Sequence, residues 1–203
     1  MRLALNADYS KVPALPVMRV IAGTYRSRPL RSMPGLDLRP TSDRLRETLF
    51  NVLTAGNPSA LIGTVWVDLF AGTGAVGIEA LSRRAAMVYF VESSSKAVEL
   101  VQKNLKSLGI TGNFEVLKQD VVRAVGTLKK VNADFIFLDP PYRMREAYKQ
   151  TLEAVAGSSL LRTEGIVIAE HDKRFDPGEQ FGQMQRLRKL EQGDSALSFY
   201  KNL

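Results

Sequence analysis

The stretch VDLFAGTGAVGIEAL, residues 67–81, places glycines at positions 72, 74 and 77 between an apolar strand pattern and a helix pattern. This is the G-x-G-x-x-G spacing found where a strand passes into a helix in nucleotide-binding sheets. Glycines let the chain turn tightly and let a ligand approach the backbone closely. The stretch therefore predicts a Rossmann-like α/β domain with a ligand site at this turn.

Strand and helix patterns alternate on both sides of this turn. Five apolar strand patterns are separated by helix patterns, at TVWVDLF, MVYFVE, FEVLKQ, DFIFLD and GIVIAEH. Two further strands without a clear helix between them are predicted near the C-terminus, at MQRLRKLEQ and ALSFYKNL. Alternation of this kind indicates a parallel sheet with helices on both faces. We therefore predict an α/β, Rossmann-like fold with a seven-stranded, mostly parallel sheet and an antiparallel edge strand.

The first 57 residues precede this alternation and are predicted to form an N-terminal extension of the α/β domain. Residues 1–17 have an irregular pattern, whereas residues 18–57 fit a small basic β-hairpin followed by one helix. The helix is expected within RPTSDRLRETLFNVL, because Thr41 or Ser42 can cap it and its leucines share one face. The remaining residues, 58–203, are predicted to form the catalytic domain.

The composition narrows the possible chemistry. The chain has 203 residues, no cysteine and a single histidine, His171, to which we assign no functional role. Disulfides, cysteine nucleophiles and multi-histidine or thiolate metal sites are thereby excluded, and no metal is expected. No apolar run approaches the roughly 20 residues that span a bilayer, and the N-terminus does not fit a signal peptide. We therefore expect a cytoplasmic protein without membrane contact.

Positive charge is concentrated near the N-terminus. The net charge is +7, and residues 1–50 contribute nine Lys or Arg against four Asp or Glu. Arginine side chains fit phosphates and stack on bases, so this segment is a candidate nucleic-acid-binding arm. A solvated basic surface without a partner would explain the same charge.

Two ligand types compete for the glycine turn, and Asp68 favours one of them. A dinucleotide would bring an anionic pyrophosphate close to this acid. S-adenosylmethionine carries a sulfonium, an ammonium and a ribose diol, which suit Asp68 and Glu92, the acid that ends the next strand. Asp120, after the third strand, is placed either to meet the adenine amino group or to cap the following helix. The other candidate cofactor contacts are Phe70, Ala71, Gly72, Thr73, Gly74, Gly77 and Ser93.

The stretch LDPPY, residues 138–142, ends the fourth predicted strand with an acid, two prolines and an aromatic ring. Prolines stop a strand because they donate no ladder hydrogen bond. The fourth strand of such a sheet lies beside the first, so this corner is expected to face a bound methyl donor. Asp139 and the Pro140 carbonyl can accept the two N–H bonds of a planar amine while Tyr142 stacks on it. A strand-ending turn with a capping Asp is the alternative.

Together, VDLFAGTGAVG, VES and LDPPY resemble the class I S-adenosylmethionine-dependent methyltransferases, and DPPY resembles their amino-methylating branch. MRVIAGTYRSRPL and LRPTSDRLRETLFNVL resemble the bacterial 16S ribosomal RNA guanine-N2 methyltransferases. The resemblance runs from about Met18 to the C-terminus. It departs at Arg26-Ser27-Arg28, where the family often has glycine in the middle, and in the extension before Met18.

The resemblance implies methyl transfer from S-adenosylmethionine to N2 of one guanine in 16S ribosomal RNA, within the small subunit or an assembly intermediate, by a protein that we expect to be monomeric. It implies that Asp139, Pro140 and Tyr142 hold the guanine. It also implies RNA backbone contacts by Arg19, Arg26, Arg28, Arg39, Arg44 and Arg46, and a helix near the cofactor that carries Thr41, Asp43 and Glu47. The alternatives left open are adenine-N6 or protein glutamine-N5 methylation, a non-catalytic RNA-binding module and a dinucleotide oxidoreductase.

Overall fold

A computed structural model describes residues 18–32 and 42–203, and five helices and eight strands lie within these residues. The helices are α1 (Asp43–Leu53), α2 (Ala75–Ser82), α3 (Ser95–Leu108), α4 (Val121–Thr127) and α5 (Arg145–Ala156). The strands are β1 (Val65–Leu69), β2 (Met87–Glu92), β3 (Phe114–Lys118), β4 (Ala133–Leu138), β5 (Leu161–Asp172), β6 (Gln180–Phe181), β7 (Met184–Gln192) and β8 (Ser195–Asn202).

The strands form one sheet in the order β3-β2-β1-β4-β5-β8-β7-β6. β1 to β5 are parallel, and β8 inserts antiparallel between β5 and β7. β1 lies between β2 and β4, so the carboxyl ends of β1 and β4 form the point where the strand order reverses and where such sheets bind ligands. The predicted α/β fold with an antiparallel strand near one edge is confirmed.

The predicted count of seven strands is one too low. The additional strand, β6, is only two residues long and pairs with β7 through Gln180 and Phe181. Two residues are too few for an alternating pattern, so no periodicity in the sequence marks this strand.

Side chains and glycines set the helix boundaries as the sequence indicates. The Ser42 hydroxyl accepts a hydrogen bond from the Leu45 N–H at 3.1 Å at the start of α1, while Thr41, the other predicted cap, lies outside the described residues. α3 is followed by Gly109 in a left-handed conformation, φ 73°. α2 differs, because Gly74 precedes it and no side chain caps it. The first N–H groups of α2 therefore face the turn that follows β1.

Apolar residues form two layers, one on each side of the sheet. One layer joins residues of α1, α2 and α3 to the sheet, and the other joins residues of α4 and α5 to its opposite face. Trp66 on β1 is fully buried, with the Phe50 ring of α1 at 5.3 Å and the Phe135 ring of β4 at 4.6 Å between centroids. α1 therefore shares the core of the sheet, and the three-part division of the chain stays a prediction.

Residues 18–32 form a turn that packs against α2. The predicted hairpin is reduced to a single antiparallel bridge between Arg19 and Pro29. The fully buried Glu79 carboxylate accepts the N–H groups of Ile21 and Ala22 at 2.7 and 2.9 Å, and it pairs with Arg83. These bonds attach the N-terminal turn to the helix that follows the glycine stretch.

Candidate active site

The glycine turn after β1 is built from backbone conformations that few residues tolerate. Gly72 and Gly74 have φ values of 55° and 76°, and Phe70 between the strand and these glycines has φ 63°. A Cβ added to Gly77 would lie 2.3 Å from the Phe90 ring, so glycine permits close packing of α2 on β2. The spacing of the three glycines thus reflects two needs, a tight turn and close helix packing.

Asp68, near the end of β1, is a buried acid directly beneath this turn. Its carboxylate accepts the Gly77 N–H at 2.9 Å. The pKa of Asp68 is raised to about 8, mainly by burial; the Gly77 hydrogen bond lowers it and the nearby charge of Glu92 raises it. A cationic ligand close to this group would favour the ionised carboxylate, whereas an anionic ligand would oppose it.

Glu92, at the end of β2, closes the other side of the turn. Its carboxylate accepts the Gly72 N–H at 3.1 Å and the Ser94 N–H at 2.8 Å. A carboxylate has about four acceptor positions, so Glu92 can accept further hydrogen bonds from ribose hydroxyls. Ser93 is exposed beside it. Asp120 caps α4 by accepting the Val122 N–H at 3.0 Å, which is the structural alternative considered for that residue, and its adenine contact stays a prediction.

The DPPY corner follows β4 directly, and it is held by two tyrosines. Tyr142 is partly buried, and its hydroxyl lies 3.0 Å from the Ser195 Oγ at the start of β8. The Tyr148 hydroxyl donates to the Glu170 carbonyl at 2.9 Å and also lies 3.2 Å from the Pro140 carbonyl. Tyr148, on α5, therefore joins the corner to the neighbouring strand β5.

Three acids meet at the carboxyl ends of neighbouring strands: Asp68 on β1, Asp139 after β4 and Glu170 on β5. Burial raises the pKa of Asp139 well above its usual range, and the negative charges of Glu170 and then Asp68 raise it further. Within residues 18–32 and 42–203, no group of three or more histidine and acidic side chains is arranged to hold a metal ion. The carboxyl end of the sheet is therefore strongly acidic and suits ligands that bring positive charge or N–H donors.

A cavity of about 130 Å³ adjoins the corner. Residues at the start of α1, Glu170 on β5 and the turn between β7 and β8 line it. Ser195 belongs to this lining and also contacts Tyr142, so the cavity lies next to the candidate catalytic residues.

The predicted RNA-binding arginines divide into three groups. Arg19, Arg26, Arg28 and Arg44 are exposed, and Arg39 lies outside the part of the chain that the structure describes. Arg46 is fully buried and donates to the Arg19 carbonyl and to Asp43. This burial removes Arg46 from the candidate RNA contacts. Arg46 lies three and four residues before Leu49 and Phe50, which places it beside them on the buried face of α1, and the basic character of the segment obscured this spacing.

Several residues of the site were not identified from the sequence. Glu170 ends an apolar strand pattern next to the one that ends in DPPY, and this shared position was the signal that could have found it. Asn104 on α3 donates to the Thr73 carbonyl at 2.9 Å and to the Arg31 carbonyl at 3.1 Å, which joins the glycine turn to the N-terminal turn. A helix pattern does not reveal such a contact, because the two partners are distant in sequence.

Solved structures with this architecture identify the fold. The chain superposes on yhhF of Escherichia coli, a provisionally named methyltransferase, with a TM-score of 0.76, 31% identity and coverage of 92% of this chain and 98% of that one. A methylase from Haemophilus influenzae, also provisionally named, gives a TM-score of 0.74 at 29% identity, covering 92% and 99%. The strand order and the glycine turn therefore define a class I methyltransferase fold.

The chain belongs to the family described as Conserved hypothetical protein 95, whose sequence pattern matches residues 18–201. YlbH of Bacillus subtilis, a provisionally named rRNA methyltransferase, is 36% identical over 186 residues, which cover 91% of this chain and 98% of YlbH. Ribosomal RNA small subunit methyltransferase D of Escherichia coli is 34% identical over 157 residues, which cover 76% of this chain and 75% of that protein. The family resemblance predicted from the motifs is confirmed.

No helix in the described part of the chain is long and apolar enough to cross a membrane.

Proposed function

We propose that this protein transfers a methyl group from S-adenosylmethionine to N2 of a guanine in 16S ribosomal RNA, leaving S-adenosylhomocysteine. The observation that carries the proposal is the position of Asp139, Pro140 and Tyr142 beside the glycine turn, at the point where the strand order reverses. The names of the relatives, a small-subunit ribosomal RNA methyltransferase among them, support the substrate class.

S-adenosylmethionine fits the residues at the ends of β1 and β2. It would supply an electrophilic methyl group next to a positively charged sulfur. The positive charge of the ligand would favour the ionised form of Asp68, whose pKa is raised. Glu92 has acceptor positions left for ribose hydroxyls. Because this end of the sheet is acidic, an anionic pyrophosphate fits it poorly, which counts against a dinucleotide.

The DPPY corner would orient the guanine amine. Its nitrogen lone pair is delocalised into the ring, so Asp139 and the Pro140 carbonyl would accept the two N–H bonds and leave the lone pair directed at the methyl group. Tyr142, which Ser195 contacts, would stack on the base and contribute about 1–3 kcal/mol. The nitrogen must lose one proton once it is methylated, and the raised pKa of Asp139 suits a carboxylate that accepts this proton.

The exposed arginines Arg19, Arg26, Arg28 and Arg44 would contact the RNA backbone, and Arg39 keeps the same predicted role. The guanine must leave its stack to reach the corner, at a cost of a few kcal/mol or less if it is already unpaired. We expect the substrate to be the small subunit or an assembly intermediate, the enzyme to act as a monomer, and its location to be the cytoplasm.

The test is methyl transfer from labelled S-adenosylmethionine to 16S ribosomal RNA and to small subunits that lack their native methylations. The RNA is digested and the labelled nucleoside is identified, with Asp139→Ala as the control. We expect N2-methylguanosine from the wild type and none from the variant. Label in N6-methyladenosine would support the adenine alternative. Cofactor binding without transfer to RNA would point to a protein glutamine substrate, and RNA binding without cofactor binding would point to a non-catalytic module.

A further inference from the structure

The cavity beside the DPPY corner has a chemical character that methyl transfer alone does not need. Three of its lining residues are charged: Arg44 in the first turn of α1, Glu170 on β5, and Asp194, which pairs with Lys173 at 3.3 Å. Holding an amine requires only acceptors, which Asp139 and the Pro140 carbonyl already offer. The cavity beside that corner adds the Arg44 guanidinium and the Glu170 carboxylate, which indicates that more of the base is recognised than its amine.

Glu170 lies beside Asp139 because of the strand register. Leu138 pairs with Ala169 in the parallel ladder, so the next residue on each strand, Asp139 and Glu170, continue side by side. Glu170 is only 3% exposed, and the Tyr148 hydroxyl donates to its carbonyl. The backbone that carries this carboxylate is therefore held in place by α5.

Glu170 interacts with charged groups on two sides. The buried guanidinium of Arg46 on α1 interacts favourably with Glu170, whereas Asp139 repels it. An N–H donor that reaches both carboxylates would relieve this repulsion. Guanine offers adjacent N–H donors at N1 and N2, and adenine does not, because its N1 is an acceptor.

We propose that Glu170 and Arg44 select guanine in this cavity, with Glu170 accepting the N1–H and Arg44 donating to O6 or N7. The inference rests on the proposed guanine-N2 methylation and assigns the residues that read the rest of the base. Going around the base from N2, the next groups are N1–H, O6 and N7, so Asp139, Glu170 and Arg44 would each meet one part of this edge. Arg44 is thereby assigned to the base rather than to the RNA backbone.

The selection follows from hydrogen-bond chemistry. With guanine bound, Glu170 needs only one further acceptor position, and a carboxylate has about four. With adenine placed so that its amine meets Asp139, the N1 lone pair would face a carboxylate oxygen of Glu170, and two acceptors repel each other. Sites built to bond a substrate N–H reject analogues that lack it far more strongly than apolar pockets reject a missing methyl group.

The experiment uses RNA in which the mapped target guanine is replaced by 2-aminopurine, which keeps the N2 amine but lacks the N1–H and O6. The measured quantity is the ratio of kcat/KM for guanine to that for 2-aminopurine. We expect the wild type to prefer guanine by at least about 100-fold. Glu170→Gln is expected to narrow the preference to within about tenfold, because the glutamine amide can donate to the bare N1. The matched control is Glu164→Gln, an exposed residue of the same strand that pairs with Lys201, and it is expected to keep the wild-type ratio.

Arg44→Gln provides a second, independent variant, because Arg44 is exposed and its replacement does not disturb the core. It is expected to slow transfer to guanine by about tenfold while changing transfer to 2-aminopurine, which lacks O6, by less. A wild-type guanine preference that survives in both variants would overturn the inference and leave the proposed reaction intact. A wild type that transfers no methyl group to guanine N2 would instead overturn the proposed function itself.

Discussion

The candidate site has two halves whose carboxylates are held differently. We call the ends of β1 and β2 the cofactor half and the ends of β4 and β5 the substrate half, after their proposed roles. At the ends of β1 and β2, Asp68 and Glu92 accept backbone N–H groups of the chain itself. At the ends of β4 and β5, Asp139 lies beside Glu170, and like charge adds to burial in raising its pKa. The half that we propose holds the cofactor is thus shaped by the protein's own backbone. In the half that we propose holds the base, N–H donors of a ligand would reduce the repulsion between the two carboxylates. The two halves are therefore expected to respond differently to mutation, pH and salt.

Loss of the Asp139 carboxylate should have the largest effect. Asp139→Ala is expected to lower kcat by about 10²–10⁴-fold, because the amine loses its principal acceptor. Cofactor affinity, measured by titration calorimetry, should stay within a few fold of the wild type, because Glu92 and the glycine turn are unchanged. Turnover at the wild-type rate would show that Asp139 has no part in the reaction.

Loss of the Glu92 carboxylate should produce the reverse pattern. Glu92→Ala leaves the Gly72 and Ser94 N–H groups without this acceptor and removes the predicted ribose contact. Cofactor affinity is expected to fall by about 10–100-fold, with a smaller change in kcat at saturating cofactor. Glu99→Ala, an exposed residue of α3 paired with Lys103, serves as the control. Equal effects of both variants on affinity would argue against a cofactor role for Glu92.

The pH dependence of transfer should report the repulsion in the substrate half. Because the pKa of Asp139 is raised, the ionised acceptor is lost as pH falls through a range above that of ordinary carboxylates. Below this pKa, kcat/KM is expected to drop about tenfold per pH unit. Glu170→Gln removes a neighbouring negative charge, which lowers the pKa of Asp139, so the acid limb should move to lower pH. A limb that stays in place would show that the two carboxylates do not interact.

Replacing the exposed arginines should weaken RNA binding without changing cofactor binding, and by a smaller factor than the carboxylate variants change activity or affinity. Arg26→Gln combined with Arg28→Gln is expected to weaken RNA binding a few fold and to reduce the slope of log K against log salt by about 0.7 for each lost phosphate contact. Cofactor affinity should not change. Lys149→Gln on α5, on the opposite face of the sheet, is the control for a simple loss of positive charge. A salt slope that is the same in both variants would contradict an RNA-binding role for this turn.

Apart from these effects on activity and binding, the cofactor half should show an effect on stability. The pKa of Asp68 is raised from its ordinary value near 4 to about 8. The folded protein therefore binds this proton more tightly than the unfolded chain, and stability from this group is lost as pH rises from about 4 to about 8. Asp68→Asn should flatten the fall in Tm over this range, measured by thermal unfolding without cofactor. An unchanged pH dependence in the variant would mean that Asp68 titrates normally.

Most of the fold was predictable because its signals are local. Alternating apolar strands and amphipathic helices, the glycine spacing and the Ser42 cap each lie within a few residues of one another, and the structure places these elements where the patterns indicate. β6 was missed because a two-residue strand has no period. The N-terminal hairpin was predicted to have two paired strands, but the structure pairs only Arg19 and Pro29 there. Patterns of this kind record which residues prefer a strand or a helix, not how many of them pair.

The candidate site was predictable only in part. Asp68, Glu92 and Asp139 were predicted because each lies at or near the end of an apolar strand beside a recognisable motif, and their roles stay predictions. Glu170 and Tyr148 were not found, because their importance comes from the strands and helices that pack against them.

The sequence by itself determined the class of fold, the glycine turn and the acid that precedes two prolines, since these depend on backbone conformation and on neighbours along the chain. Only the tertiary structure decided that Arg46 is fully buried while Arg44 lines the cavity, although only Leu45 separates them on the helix. It also decided that Asp139 and Glu170 lie side by side, because strand register and helix rotation are set by packing across the whole core.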